Sequence, residues 1–188
     1  VTSGEGISRT LTAKVTTTKG YEPPEYKGYG NLAYLGIITC NVGQPKGSGS
    51  KDIEIIRDGK ITRTNLGQYD TFFYRGDPHE EYIGYVFSEA YSFDKVVFTE
   101  GMQFDNGGWF ENGTLRIEAL IDGSWKKLDV VSEPEYPNGN KQSDFGANFE
   151  TYTFAFEPVK ASGIRLIGSA GGSMHFISVA ELEVYGSR

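Results

Sequence analysis

The sequence has one cysteine, no long apolar run and almost no helical periodicity. A single thiol, Cys40, excludes an internal disulfide framework and any cysteine-rich zinc site. Its apolar setting in "LGIITCNV" reads as a small buried residue rather than a nucleophile. No stretch approaches the about 20 apolar residues that a membrane helix needs, and no signal peptide is read in the sequence. Basic residues are also few: Lys and Arg number 18 against 25 Asp and Glu, a net charge of −7, and they are scattered. That balance argues against nucleic acid or an anionic membrane surface as a general partner and leaves neutral ligands open.

Catalytic signatures are missing too. There is no Gly-x-Ser-x-Gly elbow, no phosphate-cradling loop and no two-histidine metal motif, because His79 and His175 stand far apart in the sequence. Glu100, Asp105 and Glu111 could be cast as a glycosidase acid and nucleophile, but nothing fixes a separation between them. The expectation is a protein that is not an enzyme.

What the chain does have is 25 glycines, 12 Phe, 12 Tyr and 2 Trp, the mixture of tight turns joining aromatic-rich strands. Residues 1–30 differ from the rest: a Ser/Thr-rich segment runs into "YEPPEYKGYG", which reads as a linker or the end of a preceding module. From Asn31 to Arg188, strand signals recur at 82–87, 94–101, 114–121, 124–131, 150–158, 163–168 and 177–186, bounded by Gly, Asn or Pro. In "TLRIEALI", Leu115, Ile117, Ala119 and Ile121 alternate with Arg116 and Glu118, and Asp122-Gly123 then predicts a hairpin turn. The pattern predicts an all-β protein, an antiparallel sandwich or jelly roll.

The last strand contains an irregularity. Ile177 and Val179 are one step out of phase with Leu182 and Val184, so one residue is in excess near Ala180-Glu181, which in a strand means a bulge. The slip leaves Glu181 on the side of Ile177 and Val179. A carboxylate there needs a cation or several donors. One answer is calcium, since the loop holding Asp58, Thr62, Thr64, Asp70 and Thr71 is rich in oxygen ligands; others are an ion pair with Arg57 or Arg165, or water at a sheet edge.

Two double-glycine loops suggest a ligand site. In "EGMQFDNGGWFENG", Trp109 and Phe110 either present flat rings to a sugar, with Asp105 and Asn106 bonding hydroxyls, or cap the core. In "GSAGGSMHFIS", His175 could donate to a sugar hydroxyl. The long polar loop 132–150 carries Tyr136, a further candidate.

"NLAYLGIITCNV", "IRDG" followed by "QYDTF", "YIGYVF" before "VVFTEG", and the close "GIRLIGSAGG...FISVAELEVYG" together resemble the coagulation factor V/VIII type C, or discoidin, domains. They are most similar to the bacterial versions grouped with family 32 carbohydrate-binding modules, over about residues 31–187. The resemblance implies a jelly roll with ligand loops at one end, a structural calcium, and service as a secreted, non-catalytic, monomeric module covalently linked to a glycan-active enzyme. It places the calcium ligands on Asp58, Thr71, the Ala180 carbonyl and Glu181. The loop between Asp58 and Thr71 is longer than the family's usual one, and Phe73 replaces the Trp that follows the Thr. The His, Arg and Asn set of galactose-binding members has no matching placement here, so galactose specificity is not implied. The expected ligand is an oligo- or polysaccharide bound at about 10 μM to 1 mM. A discoidin-type adhesion or lipid-binding domain is the alternative, disfavoured by the lack of a Lys/Arg cluster near Trp109.

Overall fold

The structure, a computed structural model, describes residues 28–74, 76–137 and 149–188. The expected linker 1–30 therefore falls almost wholly outside the described residues, as does most of the polar loop 132–150. Near the start of the described residues, the Tyr29 ring stacks on Tyr185 and its hydroxyl donates to Asp94.

Among the described residues nine strands make one antiparallel sheet: β1 (Gly30–Asn31), β2 (Ile37–Cys40), β3 (Tyr69–Asp70), β4 (Glu80–Glu100), β5 (Arg116–Ile121), β6 (Ser124–Lys127), β7 (Val131–Glu133), β8 (Thr151–Ser169) and β9 (Ser178–Ser187). Two of them are long because each combines two of the predicted strands. Register breaks between Val86 and Tyr91 and between Phe93 and Lys95 divide β4, and its two parts pair with different neighbours. Its first half pairs with β2 and with residues 163–169 of β8, which in turn carry β5 and β6. Its second half pairs with β9 and with residues 151–161 of β8, where β7 is added. The two long strands thus serve both layers of a β-sandwich.

Between the layers lie Tyr85, Phe93, Val96, Phe98, Ile117, Tyr152, Ile164, Leu166, Leu182 and Val184, all nearly or fully buried. Alternation in β5 holds at its centre, where Ile117 and Ala119 are fully buried. Glu118, between them, is also buried, held by Arg116 at 2.8 Å and Arg165 at 2.6 Å. Arg165 in turn lies over the rings of Tyr82 and Trp125. The Asp122-Gly123 hairpin forms as predicted, both residues at positive φ (51° and 76°) and Ile121 facing Ser124. Cys40 is partly buried, and burial pushes its thiol up to about 12, which keeps it protonated and unreactive. Among the described residues no helix is long and apolar enough to cross a membrane.

Candidate functional site

The phase slip read in the last strand is present. Thr99 faces Glu181 while Glu100 faces Val179, so Ala180 is the extra residue of a bulge in β9. Glu181 is only 6% exposed. Neither arginine offered for it is its partner: Arg57 is engaged by Glu54 and by the carbonyls of Ala33 and Gly36, and Arg165 by Glu118. Glu181 Oε1 instead accepts the Gly59 amide at 3.3 Å, and its Oε2 is buried without a hydrogen-bond partner. Burial, followed by the nearby Asp58 charge, pushes the Glu181 carboxyl up to about 7. Asp58 accepts the Lys60 amide at 2.8 Å.

Asp58 and Glu181 are thus brought together as two carboxylates of like charge at a turn, with the bulged Ala180 beside them. Among the described residues no group of three or more His, Cys, Asp or Glu could hold a metal, so a calcium shell here needs backbone carbonyls for its remaining oxygens. Thr71 does not belong to this set. β3 pairs with β9 so that Tyr69 faces Val179 and Asp70 faces Ser178, which carries Thr71 on to Ile177. There its hydroxyl accepts the Ile177 amide at 2.9 Å. At about 3.3 Å per residue, four strand positions separate it from Glu181, too far for one ion.

The two double-glycine loops share one end of the sandwich. Gly108 bridges to Ile177, Phe110 to Ala170, and the Met174 amide donates to the Asn106 carbonyl at 2.9 Å. The rings expected to face a sugar turn inward instead. Trp109 is 7% exposed and Phe110 is fully buried against Phe98, so neither is a stacking platform. The reason is long-range pairing: the bridges lay 108–110 across 170–177 as a strand-like segment, which puts Phe110 in the core and Trp109 against Gly171. Trp109 packs over Gly171 so closely that a Cβ there would come within 2.1 Å of the indole nitrogen. Tyr136 is likewise structural, its hydroxyl accepting the Phe110 amide at 3.0 Å and its ring against Tyr152. His175 is partly buried, with Nδ1 on the Ala170 carbonyl at 3.1 Å. Asp105 is exposed on the loop, and Asn106 lines a cavity.

That cavity has a volume of about 170 Å³. Its walls are Phe72, Phe104 and Phe176, with Gly47, Ser48, Asp70 and Asn106 between them. The rings brace one another: Phe72 meets Phe176 edge-on at 5.3 Å, and Phe104 lies 5.8 Å from Phe176. Outside the cavity the chain continues as an aromatic strap. Phe73 is 44% and Tyr74 72% exposed, and Tyr74 has φ 56°, a left-handed conformation rare for a bulky residue. Successive side chains point to opposite sides, so Phe73 lines a second hollow with Val42, Gln44 and Lys46, whose ammonium lies 5.7 Å from the Phe73 ring. The Lys46 amide, bonded to the Phe72 carbonyl at 2.7 Å, ties the strap to the 42–48 loop.

No protein-family model matches the sequence, and no curated protein does. Solved structures match the fold. A family 32 carbohydrate-binding module from Clostridium perfringens, in complex with GalNAc-β-1,3-galactose, is 19% identical over 82% of this chain and 99% of its own, with a TM-score of 0.56. The family 32 module of C. perfringens NanJ, in complex with galactose, is 18% identical over 84% of this chain and 98% of its own, also at 0.56. A chitosan-binding module from a Paenibacillus chitosanase/glucanase is 15% identical over 84% of this chain and 99% of its own, at 0.53. At these identities the likeness is one of fold, and it agrees with the resemblance carried by the sequence motifs, the C-terminal one above all. The chain has the discoidin-like β-sandwich fold of the family 32 carbohydrate-binding modules.

Proposed function

We propose that the chain is a non-catalytic carbohydrate-binding module whose site is the loop end formed by the aromatic cavity and the 72–74 strap. The observation that carries the reading is the placement of aromatic rings from three separate loops around one cavity, beside an exposed and conformationally strained Tyr74. Sugar C–H faces stack on such rings, and Ser48 and Asn106 supply hydrogen-bonding groups at the rim. The structural neighbours support carbohydrate as the ligand class, since those proteins bind galactose, GalNAc-galactose or chitosan. The Paenibacillus neighbour derives from an enzyme, which supports a module attached to a secreted glycan-active enzyme.

A calcium ion held by Asp58, Glu181 and the Ala180 carbonyl is part of the same proposal. It is supported by the orphaned Glu181 oxygen and by two carboxylates meeting without a cation. Bound there, the ion would neutralise the pair and fix the bulge. Binding of sugar would not pass through it.

A glycan array probed with the purified protein tests the reading, with Tyr74→Ala as the diagnostic variant. Loss of an exposed stacking ring should weaken binding at least about tenfold, by analogy with other exposed aromatic contacts, while leaving the melt unchanged. Silence across the array, or a Tyr74→Ala variant that binds as the wild type does, would remove the proposal.

A further inference from the structure

The geometry points to a glycan bearing a free, protonated amine as the ligand of the aromatic cavity, with Asp70 as the group that selects it. This rests on the carbohydrate reading above and narrows it. Asp70 lines the cavity yet is only 1% exposed. One carboxylate oxygen, Oδ2, accepts the Gly49 amide at 2.7 Å and the Phe72 amide also stabilises the carboxylate, while Oδ1 is buried with no hydrogen-bond partner of its own. An unmet buried acceptor is costly, more so when charged, so the cavity favours an occupant that brings a donor.

The carboxylate is also held in place. A Cβ on Gly47 would come within 2.1 Å of Oδ1 and one on Gly49 within 2.3 Å of Oδ2, so the loop wraps it as closely as glycine permits. Among the described residues, Lys51 is the cation whose charge acts on it. Its ammonium donates to the Gly47 carbonyl, however, and burial still outweighs its charge, leaving the Asp70 carboxyl above the usual range.

Among the described residues no Lys or Arg lines the cavity, whose remaining walls are three phenyl rings. A fixed carboxylate beside aromatic faces is the environment that a cation on an apolar frame prefers over a neutral group. A sugar hydroxyl could donate to Oδ1 as well, but a charge-assisted bond is roughly twice as strong. The net charge of −7 adds long-range attraction for a polycationic chain.

The test is calorimetric titration near pH 6 with three hexasaccharides: glucosamine, N-acetylglucosamine and glucose. The free-amine oligomer should bind at least about tenfold more tightly than the other two. Asp70→Asn keeps an acceptor for the Gly49 amide and should abolish that preference. Asp129→Asn removes the same charge from an exposed position away from the cavity and should leave it intact. Equal or tighter binding of the acetylated oligomer by the wild type overturns the inference whether or not the variant folds, as does a preference that survives Asp70→Asn. If neutral glycans bind in a Tyr74-dependent way without advantage to the amine, only this inference fails. If nothing on the array binds, the carbohydrate reading fails with it.

Discussion

Trp109→Ala should lower the melting midpoint by about 10 °C, because emptying a buried Trp site costs about 3–5 kcal/mol and a chain of this size loses roughly 2–4 °C per kcal/mol. The ring is 7% exposed, and its Nε1 is buried with no hydrogen-bond partner. Trp109→Phe should therefore cost much less, since it keeps an aromatic ring over Gly171 and removes an unsatisfied N–H. Thermal melts of the two variants separate these effects. Trp109→Phe should also bind glycan as the wild type does. A sugar platform at Trp109 would give the opposite pattern, with binding lost and the melt unchanged.

Calcium removal should produce the second large effect. A metal bound only by the folded protein, present at about 100 times its dissociation constant, adds about 2.7 kcal/mol, so chelation should lower the midpoint by roughly 5–10 °C. Glu181→Gln should show no response to added calcium and should melt at or slightly above the chelated wild type. In the metal-free state the same substitution should do no harm and even stabilise, because it relieves the repulsion from Asp58 and the burial of a charge. Differential scanning calorimetry with and without chelator checks both. A midpoint indifferent to chelator, on protein shown to carry metal beforehand, would refute the calcium site.

The features legible in the sequence were those set by local pattern. The phase slip between Val179 and Leu182 located the bulge because side chains alternate strictly along a strand. Asp122-Gly123 located a hairpin because few other dipeptides accept two positive φ angles. The direction of Trp109 and Phe110 was not legible, since it depends on Gly108 at φ 114° and on bridges to residues 60 or more positions away. Thr71 was assigned to calcium by motif, yet the register of a two-residue strand decides where it sits. The cavity itself was hidden for the same reason. Phe72, Phe104 and Phe176 lie on separate loops, and only the run "DTFFY" offered a signal, an aromatic cluster where a turn would favour polar residues.

The location of the site is the central claim, and amide chemical-shift mapping tests it most directly. The labelled protein would be titrated with the oligosaccharide that the array retains best. Shifts concentrated at residues 47–48, 70–74, 104–106 and 174–176 are the predicted result. Shifts concentrated elsewhere, for example around Trp125 and Lys127 on β6, with the cavity loops unmoved, would contradict it.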